Sequence, residues 1–176
     1  MALNPNVLSA ELQKIENAST EPPVVEGWAQ AYATYMMGSG VLGIAPAGES
    51  AFAPAKAAMA GVLVGISAPQ PIALPAAQKI ALAVKTFWLT ALPLCSAIWV
   101  TAPPLLPAFT PPLTFLDPSA EQLAIQALAA VFTANIAVPS KDVAYDAIAA
   151  VVHLMGLGAT VTQATVPAPT PGIPVL

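Results

Sequence analysis

Six prolines punctuate a 31-residue stretch, Thr86 to Leu116, that holds no charged side chain. They are Pro93, Pro103, Pro104, Pro107, Pro111 and Pro112, and among them stand Phe87, Trp88, Trp99, Phe109 and Phe115. A run this apolar has to be covered, yet its prolines oppose both usual ways of covering it. Proline gives up a backbone donor and clashes with the preceding helical turn, so a helix entering the stretch is expected to stop at Pro93. The same lost donor bars a central strand. The expectation is a helix end followed by an extended, polyproline-like strap over residues 93–118. That strap lies across an apolar surface, either this chain's own helices or a neighbour's.

The rest of the composition is equally lopsided. The chain is 57% hydrophobic and 8% charged, with a mean hydropathy of +0.73, whereas soluble domains carry about 25% charged residues. Alanine makes up about a fifth of the 176 residues, and 20 prolines against 10 glycines stiffen the connections. The net charge is −4 and there is no arginine. Arginine is the preferred fork for phosphates and base edges, so nucleic acid and anionic lipid are not expected as partners. Residues 1–19 show neither the basic leader nor the apolar run of a secretory signal. The charge-free runs 57–78 and 122–140 have the length of a membrane span. The first is broken by Pro69, Pro71 and Pro75, the second carries Gln126, Thr133 and Asn135, and neither is flanked by lysine clusters. A membrane partner is therefore not expected.

Apolar periodicity divides the chain into helices. Asn4-Pro5 opens a short amphipathic helix with Val7, Leu8, Leu12 and Ile15 on one side. A second helix, 24–37, carries Trp28, Tyr32, Tyr35 and Met36 as an aromatic stripe that reads as core. A third starts at Ala53-Pro54 and reaches about Ile66, with Ala57, Gly61 and Gly65 as a seam of small residues. A fourth runs from Pro75 to about Leu92 and turns Ile80, Val84, Trp88 and Ala91 inward. A fifth, from Pro118 to about Ile136, is expected to bury Leu123, Ala127, Ala130 and Phe132. A sixth follows Ser140 and is expected to bury Val143, Ala147, Ile148, Val151 and Met155. Beyond Gly158 lies an uncharged, proline-spaced tail with one candidate strand, 159–166. The expected fold is all-α, a bundle of five to six alanine-rich helices. An N-terminal helix or arm (1–20) precedes the helical domain (21–158), and an extended C-terminal arm (159–176) follows it.

No constellation for chemistry emerges. Gly38-Ser-Gly-Val-Leu-Gly43 has GxGxxG spacing but follows a helix rather than a strand, so it reads as a helix end and turn. His153 is the one histidine, and Asp142, Asp146 and His153 share a helix face. That arrangement reads as a surface dipole contact. Cys95 sits in apolar sequence as an inert buried thiol, and one cysteine with one histidine cannot build a zinc site. The reading is no enzyme, no cofactor and no metal.

Three segments carry a resemblance: Trp28-Ala-Gln-Ala-Tyr-Ala-Thr-Tyr35, Lys56-Ala-Ala-Met-Ala-Gly61 and Pro167-Ala-Pro-Thr-Pro-Gly-Ile-Pro174. Together they resemble small Ala/Pro-rich virion structural proteins of tailed bacteriophages. The resemblance implies a structural role in the particle, as neck or connector, tail or baseplate, or capsid cement. It implies a chain soluble in the host cytoplasm before assembly, with like or unlike protein subunits as partners. The expected contact residues are Trp99, Leu105, Leu106, Phe109 and Phe115 of the strap and Val166, Ile173, Val175 and Leu176 of the arm. Two other readings start from the same residues. One is a small membrane-associated protein, and the other is a soluble helical module that uses Trp28, Tyr32 and Tyr35 as a groove.

Overall fold

Alanine at every third or fourth position lets helices approach closely, and the few large side chains then have to fill what is left between them. The computed structural model shows this in six helices: α1 (Pro5–Gln13), α2 (Glu21–Met36), α3 (Ala53–Leu63), α4 (Ala73–Thr101), α5 (Pro118–Asn135) and α6 (Lys141–Leu157). The structure describes residues 3–15, 21–37, 52–66, 73–101, 109–114, 118–135, 141–157, 160–165, 168–169 and 173–174. At 21–22, 92–101, 118, 135, 141, 157 and in the strands it describes the backbone alone. The fold is an all-α bundle. Each helix packs on its neighbour in sequence, and α6 returns to α1, so the six close a ring. Adjacency in sequence thus becomes adjacency in space, as short connections favour.

The aromatic stripe of α2 fills the middle. Tyr32, Tyr35, Phe52, Phe87 and Trp88 are buried, and Tyr32 meets Phe87 edge to face at 5.0 Å and 86°. Ala29, Ala31, Ala33, Ala77, Ala81, Ala83 and Ala149 line the close helix contacts around them. α1 belongs to this core, with Leu3, Leu8 and Leu12 buried and α2 and α6 as its packing partners. Each such leucine contributes about 1.5–3 kcal/mol of burial. Asn4 caps α1 by accepting from the Asn6 backbone N–H at 3.0 Å, with Pro5 in the first turn. Ile15 lies against Gly27 of α2, where a Cβ would stand 2.9 Å from Ile15 Cγ1.

Several expectations about the helices need correction, beginning with α2, which starts at Glu21 rather than at 24. α4 does not stop at Pro93 but continues to Thr101. Proline at 93 removes the N–H that would reach the Leu89 carbonyl, a loss of about 3 kcal/mol inside a helix. Leu89 faces outward, 51% exposed, so water can reach the freed carbonyl. The helix ends instead one residue before Ala102, whose successor Pro103 disfavours helical backbone at 102. α3 is shorter than expected: Gly65, at φ 81°, lies in the turn after it and not on the small-residue seam. On α5, Leu123 is 66% exposed and Ala127 and Ala130 are exposed, while Ile125 and Leu128 are buried. On α6, Val143 is 57% exposed and Ala147 and Val151 are half-buried, while Ile148, Ala149, Val152 and Met155 form the inner side. The α5 face is misplaced because an alanine-rich helix carries two apolar stripes, and the bulkier one, Ile125/Leu128, wins the core; on α6, Ile148 and Met155 are inward as expected and only Val143 stands clearly outside.

Beside the helices, the strap and the arm pair with each other. Strand β1 (Phe109–Thr114) runs antiparallel to β2 (Thr160–Thr165), with Phe109 opposite Gln163 and Leu113 opposite Val161. Part of the strap is therefore a strand rather than a polyproline helix. Its register shifts between Phe109 and Leu113, the interval that holds Pro111 and Pro112. β3 (Ala168–Pro169) and β4 (Ile173–Pro174) also pair with β2. Thr160 and Val161 pair with both β1 and β4, so those two strands flank β2. The flanking strands carry prolines and the central β2 carries none, the distribution that the missing proline donor requires.

Candidate functional site

The polar side chains of the interior are spent on one another. Trp88 Nε1 donates to Tyr32 Oη at 2.7 Å, joining α4 to α2. Tyr35 Oη and His153 Nδ1 share a 2.7 Å hydrogen bond that joins α2 to α6. Burial raises the Tyr32 hydroxyl pKa well above its usual value, with Tyr35 adding to the rise and the Trp88 N–H opposing it. Burial likewise raises Tyr35 and lowers His153. Ser9 donates to Asp146 at 2.5 Å, joining α1 to α6. The sequence grouping of Asp142, Asp146 and His153 is thereby divided: Asp146 serves α1, His153 serves α2 and Asp142 is exposed. These pairs tie α1 and α2 to α6 and α2 to α4. Among the described residues no group of three or more His, Cys, Asp or Glu is placed to hold a metal ion.

The aromatic stripe offers no open groove, since Trp28, Tyr32 and Tyr35 are 8%, 0% and 1% exposed. The surface features lie elsewhere. Between α5 and α6 runs a groove of about 340 Å³ whose walls are Leu123, Ala124, Ala127, Val151, Leu154 and Met155, with Ala120 at one end. Every lining side chain is apolar. Leu154 stands 63% exposed on its rim opposite Leu123. On the outer side of α4, Leu74, Leu82 and Leu89 are also exposed, and Lys85 between them is tied to Glu121 of α5 at 2.9 Å. A second groove of about 660 Å³ lies between α2 and α3 and is polar by comparison. There Lys56 donates to Gln30 Oε1 at 2.9 Å, and Gln30 donates to Thr34 at 3.3 Å.

Of the contact residues expected from the sequence, the structure places three. Trp99 is in the last turns of α4, Phe109 opens β1, and Ile173 of β4 pairs with Val161. The strap and the arm are thus brought together through β2, with Phe109 and Ile173 on its two sides. Leu105, Leu106, Phe115, Val166, Val175 and Leu176 lie outside the described residues, as do Gly38–Gly43; of Cys95 only the backbone is described. Sequence reasoning missed Leu82, Leu89, Leu123, Val143 and Leu154 as surface residues. The signal was present in α5, where Ile125 and Leu128 form a stripe bulkier than Leu123, Ala127 and Ala130.

Among the described residues no helix is long and apolar enough to cross a membrane. Comparison with family models, curated proteins and solved structures finds no match to this chain.

Proposed function

We propose that this chain is a non-enzymatic structural subunit of a large protein assembly, of the kind found in tailed-phage virions: neck or connector, tail or baseplate, or capsid cement. It resides in the particle after a soluble stage in the host cytoplasm, and its partners are like or unlike protein subunits. The observation that supports this most is the uncharged α5/α6 groove, with Leu123 and Leu154 two-thirds exposed on a chain that buries smaller side chains fully. Contiguous apolar surface of this sort marks contact sites on soluble proteins. The strap–arm sheet adds a second support. It gathers the most proline-rich parts of the chain into one short-stranded unit beside the bundle, with proline at its edges as protection against indiscriminate pairing.

The test is the composition of the particle. In density-gradient fractions of assembled particles, the chain is expected at a fixed ratio to the other particle proteins. A Leu123→Asp/Leu154→Asp variant is expected to stay behind in the soluble fraction. Absence of the unaltered chain from the particle fraction would overturn the reading.

A further inference from the structure

We draw no further inference here: the strongest candidate, the apolar groove between α5 and α6 walled by Leu123, Ala127, Val151 and Leu154, belongs to the surface already described, and nothing in the structure shows what covers it.

Discussion

Replacing Tyr32 and Trp88 by phenylalanine, singly and together, tests whether their hydrogen bond holds α2 against α4 at the centre of the ring. Both residues are fully buried and the bond is 2.7 Å long. Tyr32→Phe removes the acceptor and leaves the indole N–H without it. Trp88→Phe removes the donor and leaves the hydroxyl without it. A buried polar group stripped of its partner costs about 1–3 kcal/mol. Trp88→Phe adds the loss of ring volume, so it is expected to be the more damaging single change. The double variant strands neither group. Its cost should fall short of the sum of the two singles by about 1–2 kcal/mol, within the range for residues in direct contact. Urea unfolding followed by far-ultraviolet circular dichroism reads this without relying on the indole. With a slope of about 1–3 kcal/mol per molar urea, the shortfall corresponds to a midpoint difference of about 0.3–2 M. Strict additivity of the two singles would refute the reasoning, because it would mean the two groups do not depend on each other.

Gly61→Ala should stabilise the chain by about 1 kcal/mol, since Gly61 lies inside α3 and an added Cβ would meet nothing within 4 Å; a lower thermal midpoint would contradict this. Stability should also depend on pH at both ends. The His153 pKa is lowered from 6.5 by burial, so the unfolded chain binds protons first. The His153 contribution is therefore whole above pH 6.5 and declines as pH falls below it, and His153→Phe should flatten that limb. Tyr32 and Tyr35 are raised above 10.0 by burial, so their contribution is whole below pH 10.0 and declines as pH rises past it. Unfolding midpoints measured from pH 5 to 11 check both limbs, and a flat profile would contradict the burial of these groups.

The six helices were legible because apolar spacing and caps act locally, whereas the closure of α1 onto α6 was not. Asn4-Pro5 and Ala53-Pro54 mark helix starts, Ser140 lies outside the described residues, and the bulk of the Trp28, Tyr32, Tyr35 and Met36 stripe favours the core over an open groove. Pro93 was read too strictly. A single proline with helix-compatible flanks bends or strains a helix without ending it, and the cost falls where the lost bond faces water. The face of α5, and Val143 on α6, were misread for a different reason. Where alanine and valine are spread around a helix, periodicity alone does not say which of two stripes is inward. The polar pairs were illegible, since Ser9 meets Asp146 across 137 positions and Tyr35 meets His153 across 118. The pairing of strap and arm was half legible. The strand within 159–166 followed from its lack of proline, but nothing local to it named residues 109–114 as its partner.

The central claim is that the outer apolar faces are made for protein neighbours, and the most direct test is mass in solution. The chain, prepared without detergent, is passed through size exclusion with light scattering over a range of concentrations, beside Leu123→Asp/Leu154→Asp. The account predicts that the unaltered chain, alone or mixed with the other particle proteins, exceeds its monomer mass of 17.8 kDa and that the mass grows with concentration. The variant should stay monomeric with an unchanged unfolding midpoint, because both leucines stand outside the core. An unaltered chain that remains a 17.8 kDa monomer both alone and mixed with the other particle proteins, indistinguishable from the variant, would contradict it.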